Sequence, residues 1–148
     1  MSAKVTIDGL LHIGVTGSRH GASEKQADAL RWLVSMLPVD RLCLHHGSCT
    51  GFDKQAYDYF SGLGIPAIIS HPPIKTEFLA DCPVRPDYRW DHVMEPQEYK
   101  TRDIEIVYAS RVLFAAPALP IDQAPRSGTW FTVRRGWGRG IPVFELPR

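Results

Sequence analysis

Three absences in the 148-residue sequence narrow the kinds of protein that it can encode. No run approaches the roughly 20 apolar residues that a membrane-spanning helix needs, and the first residues lack the pattern of a signal peptide. Neither sign of charge is in excess, because the formal net charge is only +1, so the overall charge does not favour a nucleic-acid partner. The three cysteines form no regular framework, which favours reduced thiols and a cytoplasmic location.

Two phosphate-binding motifs are also missing, since neither G-x-G-x-x-G after the first strand nor G-x-x-x-x-G-K-[ST] occurs. The sequence has instead three strand-to-helix turns of small residues, at 16–19 (TGSR), 47–51 (GSCTG) and 126–129 (RSGT). A helix N-terminus exposes unpaired N–H groups and about half a positive charge. We therefore expect all three turns to offer free N–H groups to one phosphate-bearing ligand.

Short apolar runs alternate with segments of helical periodicity along the chain. The predicted strands cover 12–16, 41–46, 66–70, 111–116 and 141–144, and the predicted helices cover 23–37, about 52–63, 99–110 and 127–137. This order predicts a single α/β domain over residues 1–148, with a parallel sheet of about five strands and helices on both faces. In such sheets ligands bind beyond the carboxyl ends of the strands, where the strand order reverses.

Residues 71–98 interrupt the alternation with five prolines and charges of both signs. A segment of this length without periodicity is typical of a lid, a binding loop or a subunit contact. The alternative is a solvent-exposed loop without such a role. Tyr88 and Trp90 are its candidates for stacking on a base. Trp130 and Trp137, on the last helix, are expected in the core or in a subunit contact instead.

The turns and their surroundings resemble the SLOG superfamily. The resemblance rests on residues 14–19, 45–53, 102–104 and 126–134, within a match that covers about residues 11–145. This superfamily includes the Lonely Guy phosphoribohydrolases, which are often named lysine decarboxylases. It also includes the Rossmann-like domain of DNA-processing protein A and nucleotide-sensing domains of bacterial conflict systems.

The resemblance implies a Rossmann-like three-layer sandwich, a nucleotide or nucleotide-derived ligand at the glycine turns, and a homodimer. The residues that it places at the ligand are Gly17, Ser18, Arg19, Gly47, Thr50, Gly51, Asp53, Gly128 and Thr129. From their chemistry, Arg102 and Arg126 would add bidentate positive charge, and Ser127 a hydroxyl. Asp53 also fits a capping box with Thr50, which explains its position almost as well as binding to a ribose does.

One position departs from the family pattern. The phosphoribohydrolases carry P-G-G-x-G-T-x-x-E, whose glutamate takes part in cleavage between ribose and base, and here that position holds Thr132. Threonine cannot act as a carboxylate acid or base. Glu105, one helical turn from Arg102, is the weak candidate for a replacement, and a solvated acid on a helix face is the alternative.

Cys43, His45, His46 and Cys49 suggest zinc, but their spacing is not that of a four-ligand site, so we expect no metal and no cofactor. The leading hypothesis is a cytoplasmic sensor or binding protein for a nucleotide or nucleotide-derived ligand. The alternative is a nucleoside 5′-monophosphate N-glycosidase. A third hypothesis is single-stranded DNA binding through the basic residues around Arg134, which the near-neutral charge disfavours.

Overall fold

The computed structural model of the protein describes residues 7–148, in which six strands and four α-helices alternate. The strands are β1 (Leu11–Gly17), β2 (Leu42–His46), β3 (Ala67–Ser70), β4 (His92–Val93), β5 (Val112–Ala116) and β6 (Val143–Glu145). The helices are α1 (Glu24–Val34), α2 (Phe52–Gly62), α3 (Tyr99–Ala109) and α4 (Gly128–Arg139). The predicted α/β class is confirmed.

All six strands lie in one parallel sheet, in the order β4-β3-β2-β1-β5-β6. The prediction of about five strands was one short, because the two-residue strand β4 comes from the irregular segment 71–98. The chain builds outward from β1 to β4 and then crosses back to place β5 on the other side of β1. The strand order therefore reverses between β1 and β5, where parallel sheets hold their ligands.

Helices cover both faces of the sheet, as predicted. Residues of α1 and α2, such as Leu30 and Phe60, pack with alternate residues of the central strands in the largest apolar cluster. On the opposite face, Trp130 and Val133 of α4 pack on Ala115. The two periodicities, 3.6 residues in the helices and 2 in the strands, direct these side chains into the core.

The ends of the helices follow local signals. The capping box of Ser23 and Gln26 at the start of α1 is confirmed, with both reciprocal hydrogen bonds present. Ser127 caps α4 by accepting from the N–H of Trp130, and Gly140 ends that helix with a left-handed backbone. The capping box predicted for Thr50 and Asp53 is wrong, because Gly51 occupies the cap position of α2 and no side chain caps this helix.

Residues 71–98 are held to the body of the protein by several contacts. The guanidinium of Arg85 pairs with Asp91 and donates to the carbonyl of Ile65, while Tyr57 donates to the carbonyl of Pro83. Trp90 packs on the apolar cluster around Ile69. Whether the segment acts as a lid stays a prediction.

Across residues 7–148, no helix combines the length and apolar character that crossing a membrane requires.

Candidate ligand pocket

A cavity of about 860 Å³ lies beyond the carboxyl ends of β1 and β5, at the point where the strand order reverses. Ten of the twelve residues predicted to bind ligand line it. They are Gly17, Ser18, Arg19, Gly47, Asp53, Arg102, Arg126, Ser127, Gly128 and Thr129. Thr50 and Gly51 do not, and the side chain of Thr50 is exposed outside it. The ten residues therefore meet at one edge of the sheet, and their role in binding stays a prediction.

The turn before α4 presents free N–H groups to this cavity. The first N–H groups of a helix have no partner within it. Ser127 satisfies that of Trp130, and its carbonyl accepts from Phe131. The N–H groups of Gly128 and Thr129 make no hydrogen bond among the residues that the structure describes. Open space surrounds the Cα of Gly128, so an anion can approach both groups.

The turn before α2 is different, because protein groups already use most of its N–H groups. Those of Thr50 and Phe52 donate to the carbonyls of Phe78 and Ser18, and that of Cys49 donates to the carboxylate of Asp53. Gly51 is needed for packing, since a Cβ there would collide with the backbone of Arg19. The expectation that this turn offers free N–H groups to a ligand is therefore wrong.

The turn after β1 is also held by the protein. The N–H of Ser18 donates to Ala116, its hydroxyl accepts from the N–H of His20, and its carbonyl accepts from Gly21 and Phe52. This turn therefore contributes the charged side chain of Arg19 to the cavity. The guanidinium of Arg19 lies 4.0 Å from the centre of the Phe78 ring.

Two carboxylates and one guanidinium form the inner wall of the cavity. Arg102 donates to Asp103 at 2.7 Å and also to the carbonyl of Gly47, an approach that only the absence of a side chain at Gly47 permits. Burial raises the pKa of Asp53 to about 6, although the nearby charge of Arg102 opposes this rise. Burial also raises the pKa of Asp103. Both carboxyl groups therefore hold a proton more readily than an exposed aspartate does.

The rim of the cavity is basic and its walls are partly aromatic. Exposed cations at the rim belong to Arg19, Lys100, Arg126 and Arg134. The aromatic rings that line it are those of Phe78, Tyr99 and Phe131. The two aromatic residues predicted to stack on a base lie elsewhere: Trp90 packs in the cluster around Ile69, and the ring of Tyr88 lies under the guanidinium of Arg85.

No family model and no curated protein sequence matches the chain. Several solved structures do match it. DNA processing protein A from Streptococcus pneumoniae gives a TM-score of 0.68 at 21% identity over 96% of this chain, which spans about half (52%) of that protein's length. The molybdenum cofactor binding protein from Rippkaea orientalis gives 0.67 at 18% identity, covering 92% of this chain and 76% of that one. The Moco carrier protein from Chlamydomonas reinhardtii gives 0.65 at 20% identity, with 93% and 76% covered.

The chain therefore shares the Rossmann-like α/β fold of these structures. Thr132, which stands where the phosphoribohydrolase pattern has its glutamate, is fully buried. Its hydroxyl donates to the carbonyl of Gly128 at 2.9 Å, beside Asp103. Glu105 is outside the cavity lining and faces His71, with 3.5 Å between its carboxylate and the imidazole.

Asp103 is a carboxylate of the cavity wall that the sequence analysis did not predict. It follows Arg102 directly, and both lie on the part of α3 that faces the cavity. The missed rim and wall residues, Lys100, Tyr99 and Phe78, had no signal of their own. Tyr99 and Lys100 lie in the first turn of α3, at the same edge of the sheet as the glycine turns. Only this position in the predicted fold could have indicated them.

Proposed function

We propose that the protein binds a nucleotide or nucleotide-derived ligand, with its phosphate at the N-terminus of α4. The observation that carries this proposal is the pair of free N–H groups at Gly128 and Thr129, open to the cavity. The positive end of the helix dipole reinforces them, as at other helix N-termini that bind phosphate. Arg126 and Arg134 add positive charge beside the same turn.

The rest of the cavity suits a nucleoside. Its volume of about 860 Å³ falls within the range of small-molecule sites. The rings of Phe78, Tyr99 and Phe131 supply apolar surface for a base. The carboxylates of Asp53 and Asp103 can accept hydrogen bonds from ribose hydroxyls or from amino groups of a base.

Calorimetric titration with matched ligands tests the proposal. AMP and other nucleoside monophosphates should bind at least tenfold more tightly than the corresponding nucleosides, because only the former engage the turn before α4. The molybdenum cofactor belongs in the same panel, since two of the structures that share this fold are named for it. Absence of binding by every phosphate compound would refute the proposal.

Two glycines of α4 supply matched variants, since both have open space around their Cα atoms. Gly128→Asp places a negative charge at the phosphate position, and we expect at least a tenfold loss of affinity. The same charge favours the helix dipole, so the free protein should not be destabilised. Gly138→Asp makes the same change at the opposite end of α4 and should leave affinity unchanged. Equal affinity of the two variants would contradict the assignment of the phosphate to this turn.

A second candidate function is hydrolysis of a nucleoside 5′-monophosphate to free base and ribose 5-phosphate. The observation that favours it is the raised pKa of two buried carboxyl groups in the cavity, those of Asp53 and Asp103. In this reaction water adds to the anomeric carbon as its bond to the base breaks. One carboxyl group can protonate the departing base while the other takes a proton from the water.

Chromatography of AMP incubated with the protein tests this second candidate by detecting free adenine. Asp103→Asn should abolish release, whereas Glu105→Gln should not, because Glu105 lies outside the cavity lining. A wild-type protein that binds AMP and releases no base would leave the binding proposal standing and reject the enzyme.

Single-stranded DNA remains an alternative occupant because DNA processing protein A shares the fold. Its binding would depend steeply on salt concentration and would weaken when Arg134 and Arg135 are changed to glutamine. The homodimer and the cytoplasmic location stay predictions.

A further inference from the structure

A line of three histidines runs across the α3 face of the sheet, away from the ligand cavity. His12 of β1 contacts His45 of β2, with 2.8 Å between His12 Nδ1 and His45 Nε2. His45 Nδ1 lies 2.9 Å from Nε2 of His71, which follows β3. The line ends at the carbonyl of Ile7, 2.7 Å from His12 Nε2, and at Glu105, 3.5 Å from His71 Nδ1.

The number of protons in this line does not match the number of contacts. Both ends are acceptors, a carbonyl oxygen at one and a carboxylate at the other. Each neutral imidazole carries one N–H, so three histidines supply three protons for four contacts.

Any one of the four contacts can be the one without a proton, but a cation can take the proton's place only between two ring nitrogens. When each histidine donates outward from the contact between His12 and His45, the protons satisfy the other three contacts. His12 Nε2 then donates to the carbonyl of Ile7, His45 Nδ1 to His71, and His71 Nδ1 to Glu105. This arrangement leaves the lone pairs of His12 Nδ1 and His45 Nε2 facing each other. The sulfur of Cys43 lies 3.7 Å from the same His45 Nε2.

We propose that His12, Cys43 and His45 form a metal site for a zinc-type transition ion, with His71 and Glu105 as positioning residues. The ligand atoms of these three residues lie within 4.8 Å of one another, and a cation between the two lone pairs leaves all four contacts of the line satisfied. The second nitrogen of each liganding histidine already meets an acceptor, as is usual for histidines that bind metals. The contact of His45 with His71, and of His71 with the carboxylate of Glu105, would fix the orientation of the His45 ring.

The backbone places the three ligands together. His12 pairs with Cys43 in the parallel register of β1 and β2, and His45 shares a face with Cys43 because strand side chains alternate. Tetrahedral zinc separates two nitrogen ligands by about 3.4 Å and a nitrogen from a sulfur by about 3.6 Å, given ordinary bond lengths. The distance from Cys43 to His45 already fits, and the two imidazoles must part by about 0.6 Å.

The site is open on one side. His12 and His45 line a shallow cavity that Asp8 and Arg111 also line, so a fourth ligand can reach the ion from there. The ion has to displace the proton of the Cys43 thiol, as coordinating metals do. The sequence-based expectation of no metal considered Cys43, His45, His46 and Cys49. It omitted His12, whose proximity comes only from strand pairing.

Titration of the metal-stripped full chain with Co²⁺ tests the proposal by absorption spectroscopy. We expect one equivalent to bind, with a thiolate-to-cobalt charge-transfer band, and Zn²⁺ to displace it. Cys43→Ser should remove the band, and Glu105→Gln should weaken binding about 10- to 100-fold while keeping the band. His20→Gln, an exposed histidine away from the cluster, is the matched control and should behave as wild type.

Circular dichroism checks that each variant is folded, and the wild-type spectrum decides the question even where a variant is not. Absence of stoichiometric binding, or a cobalt spectrum without the thiolate band, would overturn the proposal. So would a band that persists in folded Cys43→Ser.

Discussion

The turns before α2 and α4 look alike in sequence but differ in what their N–H groups contact. Before α2, the backbone of residues 49–52 is bonded to the segment around Phe78 and to the turn after β1. Before α4, the N–H groups of Gly128 and Thr129 face the cavity. A glycine-containing turn therefore marks a corner of the chain, and only an account of its N–H partners distinguishes a structural corner from an anion site.

The largest difference between the two turns is expected in the unfolding free energy when the glycine of each turn is changed to alanine. Gly51 has φ of 84°, and a Cβ there would collide with the backbone of Arg19. Gly51→Ala should therefore cost about 3 kcal/mol or more of unfolding free energy. Gly128→Ala meets open space and should change it by less than about 0.5 kcal/mol. Urea denaturation measures the unfolding free energy of both variants. Similar losses in the two variants would contradict the difference between the turns.

Much of the fold could be predicted because its signals are local. The apolar runs located five of the six strands, and the pair Ser23 and Gln26 located the start of α1. The strand β4 could not be predicted, since two residues carry no periodicity and pair only through contact with β3. The boundaries of α1 also differed: it ends at Val34, not at residue 37, and tighter turns fill the remainder.

A smaller effect is expected from the titration of Asp53, in the first turn of α2. Burial raises the pKa of Asp53 from 3.8 to about 6. The folded protein binds this proton more tightly than the unfolded chain, so the contribution of Asp53 to stability falls as pH rises from about 4 to about 6. Asp53→Asn should therefore gain about 2–3 kcal/mol relative to wild type over that range.

Urea denaturation at about pH 3 and about pH 7 measures this difference, since that range brackets both pKa values of Asp53. Asp58→Asn, an exposed carboxylate on the same helix, serves as the control and should follow the pH dependence of wild type. If Asp53→Asn also follows the pH dependence of wild type, burial does not raise the pKa of Asp53.

The candidate site was harder to predict than the fold. The sequence could place the three turns at one sheet edge, because parallel strands bring their carboxyl ends together. It could not show that Asp53 and Asp103 share Arg102, or that Trp90 is packed away from the cavity, because these depend on contacts between distant segments. The histidine line was hidden for the same reason, since strand register brings His12 beside Cys43.

The smallest effect is expected at Thr50, which the family resemblance places at the ligand. Its side chain is exposed and outside the cavity lining. Thr50→Ala should change the unfolding free energy by less than about 0.5 kcal/mol and leave nucleotide affinity unchanged. Thr129→Val removes a hydroxyl in the first turn of α4, and calorimetry should show weaker nucleotide binding. A loss of affinity in Thr50→Ala alone would reverse the assignment of the two turns.

An NMR titration of the ¹⁵N-labelled protein with AMP and adenosine tests the central claim most directly. The account predicts that AMP moves the amide resonances of Gly128 and Thr129 most strongly, that adenosine leaves them nearly unchanged, and that Thr50 and Phe52 respond to neither. The largest phosphate-dependent shifts at Thr50 and Phe52, or equal shifts of Gly128 and Thr129 with both ligands, would contradict it.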